Sequence, residues 1–345
     1  MKRILIDGNK RQFKANLHCH TNFSDGTNSP EEVKSAYMQR GYSIIAYTDH
    51  DIMYDQTHLT DENFLALKGY ELATEVDCFW TADGHVPMQN LEPNYKSWYY
   101  QKRAHFNLIA KSPEIDAQIC YNPKLNCCPT LKEKKVKSVL YGYERKHTVE
   151  DFNFVIQTAK ENGFLVIYNH PRWSLHLPQD YLGLKGLTAV EWCNGGADSG
   201  GFHENTDAYE CLLMMGNKMG TVAADDNHSV NPKSAFQGWT YILADKLDYD
   251  SVIKALENGD YYSSRGPSIS CAYIEDGKLH VETEDGVKMY VIGHTRERFG
   301  VVEYKKINGK NVFETDISWF RGPFMRFEIV DERGEKACSN ATFEY

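Results

Sequence analysis

Short apolar runs that each end in histidine, aspartate, asparagine or glutamate constrain the fold of this 345-residue chain most strongly. Residues 43–47 (SIIAY) precede Asp49 and His50, and residues 164–168 (FLVIY) precede His170. These runs have the length of strands, and the segments between them carry apolar residues at helical spacing. Such alternation predicts a parallel sheet with right-handed helical crossovers, in which successive strands end at one edge.

The helices between these runs have recognisable boundaries. Ser29 followed by Pro30 is typical of a helix start, because serine caps the first turn and proline tolerates its first position. Thr148 begins a second predicted helix, and Asp248 caps a last one that ends near Gly259. Further strands are predicted at residues 188–192, at residues 219–224 and in the short segment that directly precedes His18.

The polar clusters fall at or just after the carboxyl ends of these strands. A closed α/β barrel places its chemistry on that face, around a ring. An open doubly wound sheet also binds ligands there, but at one crevice. Polar groups from at least five strands favour the ring. The clusters are His18-Cys19-His20, Asp49-His50, Asn169-His170, Glu191 and Asp225-Asp226-Asn227-His228.

Two segments interrupt the alternation. Residues 89–147 are long, aromatic and basic, which predicts an inserted lid or substrate-binding subdomain. Trp98, Tyr99 and Tyr100 within it could stack on a base or sugar, or form the insertion's own small core. Residues 268–345 read as strands and turns. We therefore expect a barrel at 1–267 and a β-rich C-terminal domain at 268–345.

The spacing of the histidines indicates metal binding. His18 and His20, like Asp226 and His228, are two residues apart, so in an extended strand both side chains of each pair face the same way. A ligand set of imidazoles and carboxylates without thiolates suits Zn²⁺, Mn²⁺ or Fe²⁺ better than Ca²⁺. A carboxylate such as Glu71 can bridge two such cations, which then act together on a phosphate ester.

Composition sets the remaining limits. The net charge of −10 argues against nonspecific binding to nucleic acid or to anionic membranes. No run reaches the ~18 apolar residues that span a bilayer, and the N-terminus lacks an apolar stretch of signal-peptide length. We therefore expect a cytoplasmic protein with no membrane partner. Its nine cysteines, which lack a C-x-x-C pair, read mostly as buried free thiols.

Five motifs, in this order and spacing, resemble those of the PHP (polymerase and histidinol phosphatase) family: LHCHTNFSDG, YTDHD, KGYE, NHP and DDNH. The resemblance covers roughly residues 14–90 and 148–270, and it implies a distorted TIM-like (β/α)7 barrel with a two- or three-metal site. One metal would be held by His18, His20, Glu71 and Asp226, a second by Glu71, His85 and His170, and a third by Asp25, His50 and His228. His105 is the alternative to His85, and Asp225 the alternative to Asp226.

The resemblance also implies hydrolysis of a phosphate ester by a metal-activated hydroxide. The substrate would be a small anionic phosphomonoester, nucleotide or phosphodiester. Arg172 and Arg265 are candidates for holding phosphoryl oxygens, although either could form an ordinary salt bridge. Asp25 is a candidate for protonating the leaving group. Cleavage of a non-phosphate bond on the same scaffold, or metal binding without catalysis, are the alternatives.

Overall fold

The structure is a computed structural model that describes residues 2–75, 78–81, 84–87, 102–124, 135–296 and 301–345. Within these residues the strands are β1 Arg3–Ile6, β2 Arg11–Asn16, β3 Tyr42–Tyr47, β4 Leu65–Glu75, β5 Cys78–Thr81, β6 Gly84–Pro87, β7 Arg103–Ala110, β8 Gln118–Ile119, β9 Ser138–Val139, β10 Phe164–Tyr168, β11 Ala189–Asn194, β12 Gly220–Ala224, β13 Trp239–Ala244, β14 Tyr261–Ser264, β15 Cys271–Glu275, β16 Lys278–Thr283, β17 Gly286–Ile292, β18 Val301–Val302, β19 Tyr304–Ile307, β20 Lys310–Asp316, β21 Arg326–Asp331 and β22 Lys336–Ser339. The helices are α1 Pro30–Met38, α2 Val149–Glu161, α3 Pro178–Tyr181, α4 Gly195–Ser199, α5 Asp207–Met214 and α6 Tyr249–Asn258.

One large sheet carries most of the strands, in the order β12-β11-β10-β7-β4-β3-β2-β13-β14-β22-β21-β17-β18. The pairs β2–β3, β3–β4, β10–β11 and β11–β12 are parallel, as predicted. The strand β7 lies antiparallel between β4 and β10. The predicted α/β fold is therefore confirmed, with an antiparallel strand in the middle of its parallel part.

The sheet does not close into a barrel through strand pairing of the described residues. Its β12 end meets the residues after β2 in an isolated bridge between Cys19 and Asn227. Two backbone hydrogen bonds flank this bridge: Asp226 N donates to His18 O over 3.0 Å, and His20 N donates to Asn227 O over 3.1 Å. The predicted closed ring is thus replaced by a strongly curved sheet, whose curvature still gathers the strand ends.

Helix boundaries follow the local signals in the sequence. Ser29 forms a capping box with Glu32, so the first turn of α1 has its free N–H groups satisfied. Thr148 caps α2 and Asp248 caps α6 through their side-chain oxygens. Gly259 ends α6 with φ at 78°, a left-handed conformation that glycine adopts without a steric penalty. No helix in the described ranges combines the length and apolar character that a bilayer crossing needs.

The helices and the sheet bury separate parts of the core. Phe152, Val155 and Ile156 of α2 pack with apolar residues of β10 and β7 in one cluster. Val252 and Leu256 of α6 pack in another cluster beneath β2, β3 and β13. Full burial of each such side chain contributes roughly 1.5–3 kcal/mol. Together these clusters fix the strands whose carboxyl ends carry the polar residues.

The segment predicted as an insertion, 89–147, is described only at 102–124 and 135–147. Its described part is not a separate subdomain, because β7 lies in the middle of the large sheet. A short parallel pair, β8 with β9, completes this region. The aromatic residues Trp98, Tyr99 and Tyr100 lie outside the described residues.

The C-terminal residues form strands, as the sequence indicates. A second sheet has the order β1-β15-β16-β20-β19, while β17, β18, β21 and β22 extend the large sheet. The strand β22 pairs with β14, across the boundary predicted at residue 267. Leu243 and Tyr262 share a buried cluster with Phe327 and Ile329. The two parts therefore share one buried apolar cluster.

Candidate metal centre

The curved sheet brings the strand-end residues to one place. His18 and His20 follow β2, and Glu71 lies in β4. His170 follows β10 and Asp226 follows β12. Asp226 has φ at 50° and His170 has φ at 25°, in the left-handed region that residues with a Cβ rarely adopt. Such backbone strain is frequent at functional sites, where surrounding packing enforces it.

His18, His20 and Asp226 form the first group of possible ligands. The Nε2 atoms of the two histidines lie 3.1 Å apart. Asp226 Oδ1 lies 3.2 Å from His18 Nε2 and 3.0 Å from His20 Nε2. All three side chains are largely shielded from solvent, and their donor atoms point towards one another.

Glu71 lies at the centre of the cluster and is 1% exposed. Its Oε1 is 3.0 Å from His105 Nδ1 and 3.3 Å from His170 Nε2. The same oxygen is 3.2 Å from His18 Nε2, while Oε2 is 3.0 Å from His50 Nδ1. One carboxylate therefore contacts imidazoles from several strands, which is the arrangement expected of a bridging ligand.

Asp25 brings together a third group at the mouth of the site. Its Oδ2 lies 3.3 Å from His228 Nε2 and 3.5 Å from His50 Nε2. Its Oδ1 lies 3.8 Å from His20 Nδ1. The Asp25 side chain is 47% exposed, so this group is the most open to solvent of the three.

The outer nitrogens of two histidines are held by fixed acceptors. His228 Nδ1 lies 3.0 Å from the carbonyl oxygen of Asp226, and a carbonyl oxygen is satisfied only by an N–H. His18 Nδ1 lies 2.8 Å from Glu191 Oε1, which likewise favours a proton on Nδ1. In the neutral imidazoles Nε2 then presents a lone pair to the carboxylates of the cluster. Lone pairs that converge in this way, oriented by outer acceptors, fit divalent cations.

Electrostatics within the cluster agree with this fit. Burial lowers the pKa of His18, but Asp226 and Glu71 raise it more, so that it lies well above its usual range. Burial raises the pKa of Asp226, yet His18 and His20 lower it below its usual range. For His105, burial dominates and lowers the pKa to about 4. The carboxylates thus demand compensating positive charge, which protons or metal ions can supply.

Asp225 and Asp226 have different environments although they are adjacent. Asp225 accepts hydrogen bonds from Tyr37 Oη at 2.8 Å, from the backbone of Phe236 at 2.7 Å and from that of Gln237 at 2.8 Å. Burial raises its pKa to about 6. Asp226 faces the histidines instead. The geometry therefore favours Asp226 as the ligand, in line with the i, i+2 spacing between Asp226 and His228.

Of the two histidines predicted as alternatives for the ligand beside Glu71, the structure describes the side chain of only one. His85 lies in β6, but its side chain is outside what the structure describes. His105 of β7 takes a place beside Glu71, in one group with His50. His105 is therefore positioned as a candidate ligand, and the choice between His85 and His105 stays a prediction. The signal in the sequence is the run at 104–110, in which His105 and Asn107 alternate with apolar residues.

The two predicted arginines have unequal environments. Arg172 is exposed, and its Nη1 donates to the carbonyl oxygen of His203 over 2.9 Å. Arg265 is paired with Asp198 and lies 3.3 Å from a carboxylate oxygen of Glu335. Two carboxylates already balance Arg265, which favours a structural role for it. Arg172 follows His170 and Pro171 directly in the chain and stays a candidate for phosphoryl binding.

Glu191 contacts two candidate ligands, which the sequence did not predict. Its Oε1 contacts His18, and its Oε2 accepts hydrogen bonds from the backbone of His170 at 3.0 Å and from Asn194 Nδ2 at 2.9 Å. It is fully buried. Its position at the end of a predicted strand was a signal, but only the structure shows that it orients two candidate ligands at once.

Three solved structures resemble the chain. A two-domain protein from Bacteroides vulgatus, containing a predicted PHP-like metal-dependent phosphoesterase, is 16% identical, with 97% of this chain and 96% of that chain covered and a TM-score of 0.43. The chain is similar to PHP-type proteins, as its motifs predict. A protein from Bifidobacterium adolescentis assigned as a metal-dependent phosphoesterase is 15% identical, with 72% and 96% covered and a TM-score of 0.36. A lesion-specific endonuclease from Pyrococcus furiosus is 13% identical, with 72% and 56% covered and a TM-score of 0.37.

No protein-family model and no curated protein matches the chain. Identities this low leave the chemistry to be argued from the site itself.

Proposed function

We propose that the chain is a metal-dependent phosphoesterase that hydrolyses a small phosphate ester. The observation that carries this proposal is the position of Glu71, whose two oxygens contact imidazoles from several strands inside one buried cluster. A carboxylate shared in this way is suited to hold cations close together, and paired cations are suited to phosphoryl oxygens.

The ligand sets proposed here keep the predicted arrangement with one change. His18, His20, Glu71 and Asp226 would hold one cation, and Asp25, His50 and His228 another. Glu71 and His170 would hold a third cation, with His105 in the place predicted for His85. These sets contain no thiolate, so Zn²⁺, Mn²⁺ and Fe²⁺ are the expected metals. When bound, such cations lower the pKa of water and neutralise charge on phosphoryl oxygens.

The chain's own residues supply the rest of the chemistry. Glu191 and the carbonyl oxygen of Asp226 fix the rings of His18 and His228, which keeps the ligand atoms in place before substrate arrives. Arg172, which is exposed and directly follows His170 and Pro171, is the residue proposed to hold an oxygen of the phosphoryl group. His228 and His50 lower the pKa of Asp25, against the effect of burial. That direction favours Asp25 as a ligand over its predicted role as the acid.

Phosphate esters are the favoured substrates for a chemical reason. A cluster this rich in carboxylates would repel an anionic substrate unless cations outnumbered the negative charges facing it. Once cations are bound, the same site attracts a phosphoryl group and stabilises charge that develops on its oxygens. Phosphomonoesters, nucleotides and short phosphodiesters all present this group, so the proposal includes these three classes.

The test is metal analysis of the full-length chain, combined with hydrolysis of a panel of phosphomonoesters and phosphodiesters. We expect two or three equivalents of Zn, Mn or Fe in the Glu71 cluster, and phosphate-ester hydrolysis that Asp226→Ala abolishes. Asp250→Ala, at an exposed position in α6, is the matched control and should retain both. Bound metal with turnover of lactones or amides, but not of phosphate esters, would replace the proposal with the alternative hydrolase. Bound metal without any turnover would favour the non-catalytic alternative.

A further inference from the structure

A second group of metal-binding side chains lies on the C-terminal five-stranded sheet. Cys271 of β15 pairs in register with Glu282 of β16, and His280 lies two residues before Glu282. The three side chains therefore share one face of the sheet. Their sulfur, nitrogen and oxygen donor atoms all lie within 4.8 Å of one another. His280 Nε2 is 3.2 Å from Glu282 Oε1.

The backbone beneath this group is fixed by the core. Ala272 and Ile274 of β15 and Leu279 and Val281 of β16 point to the opposite face, where all four are buried in one cluster. The register of the two strands is unbroken from Cys271 to Glu275. A site on such a ladder needs little reorganisation to bind a metal ion, which improves affinity.

The imidazole of this group is held by a neighbouring aromatic ring. The ring of Tyr273 stacks on that of His280, with centroids 4.5 Å apart and planes inclined by 20°. Tyr273 and His280 are directly opposite each other in the ladder, so the stacking follows from the register. This contact limits rotation of the His280 ring.

Solvent reaches the group from one side. A cavity of about 280 Å³ is lined by Cys271, Glu282 and Lys310, among others, and leaves room for a water ligand. Lys310 Nζ lies 3.2 Å from Glu282 Oε2, whereas His280 faces Oε1. The lysine can therefore orient the carboxylate through one oxygen while the other oxygen binds a cation.

We propose that Cys271, His280 and Glu282 bind one Zn²⁺ ion at a site separate from the Glu71 cluster. Zinc accepts thiolate, imidazole and carboxylate in a tetrahedral set, and the fourth position would be water. The thiol of Cys271 loses its proton to solvent as the Zn–S bond forms. The ion would join β15 to β16, so that its role is to stabilise the C-terminal sheet.

Cobalt substitution distinguishes this site from the predicted centre, because the ligand groups around Glu71 in the described residues contain no cysteine. Full-length protein loaded with Co²⁺ should show a thiolate-to-cobalt charge-transfer band in the near ultraviolet. Cys271→Ser and His280→Ala should each abolish or strongly weaken it and lose one equivalent of zinc. Cys211→Ser, at another half-buried free thiol, is the matched control and should retain both signals. Asp226→Ala should also keep the band.

A second measurement does not depend on variants. Zinc added to the wild-type protein should protect Cys271 from alkylation, measured by mass spectrometry of the peptide that contains it, and should leave Cys211 equally reactive. A band that survives in folded Cys271→Ser would overturn the proposal. So would a wild-type protein with neither the band nor zinc protection of Cys271.

Discussion

Replacing Glu191 with glutamine tests whether its buried carboxylate holds the candidate ligands in place. The carboxylate accepts from three donors: His18 Nδ1, the backbone N–H of His170 and the amide of Asn194. Glutamine offers one acceptor oxygen and brings two N–H donors of its own, so at least one of these groups must lose its partner. An unsatisfied buried donor costs about 1–3 kcal/mol, and the free energy of unfolding should fall by that amount in Glu191→Gln.

The same substitution should weaken metal binding. Loss of a residue that orients a ligand typically costs 10- to 100-fold in metal affinity, or about 1.4–2.7 kcal/mol. We would measure affinity by competition with a chelator, and stability of the metal-free protein by urea denaturation. Glu332→Gln, which removes a carboxylate at an exposed position, is the control. Metal affinity within twofold of wild type, in a variant whose urea transition is unchanged, would refute the role assigned to Glu191.

Four further substitutions test other residues of the site and one buried ion pair outside it. Asp225→Asn should lower the free energy of unfolding by about 2 kcal/mol, since an amide cannot accept all the hydrogen bonds of that carboxylate, whereas Asp226→Asn should keep the fold and reduce phosphate release by about 100-fold or more. Urea denaturation and phosphate-release assays separate the two, and equal effects of both changes would contradict the assignment. Arg145→Met leaves the buried Asp51 carboxylate without its 2.9 Å ion pair and should cost about 3–5 kcal/mol in urea denaturation; a loss under about 1 kcal/mol would be inconsistent with that buried pair. His105→Ala should remove one equivalent of bound metal, and an unchanged metal content would return the assignment to the other histidine predicted from the sequence.

Local signals predicted much of the fold. The caps at Ser29, Thr148 and Asp248 mark helices because they satisfy backbone groups within a few residues, and the structure has α1, α2 and α6 there. The strand β7 was not predicted, since its pairing with β4 and β10 joins residues distant in sequence. Closure of the sheet is also a long-range property, and the pattern of alternation alone could not decide it.

In the candidate site, too, local spacing was predictive and long-range contacts were not. The i, i+2 spacing of His18 and His20 placed both on one side of a strand, and the structure brings both to Asp226. The position of His105 depends on the antiparallel direction of β7. That strand was not predicted, because the aromatic and basic residues around it indicated an insertion. Arg265 was predicted to hold phosphoryl oxygens, but it is paired with Asp198. That ion pair joins residues distant in sequence, so no local pattern in the sequence indicates it.

The antiparallel pairing of β4 with β7 affects how the segment between these two strands can change during evolution. Glu75, at the carboxyl end of β4, pairs with Arg103 at the start of β7. The chain therefore leaves β4 and enters β7 at the same end of the two paired strands. Glu71 and His105 stand a few residues from these two anchor points. Evolution could therefore lengthen, shorten or exchange the connecting segment without disturbing the strands that hold the ligands. Substrate specificity could then differ between related proteins that keep the same candidate metal ligands.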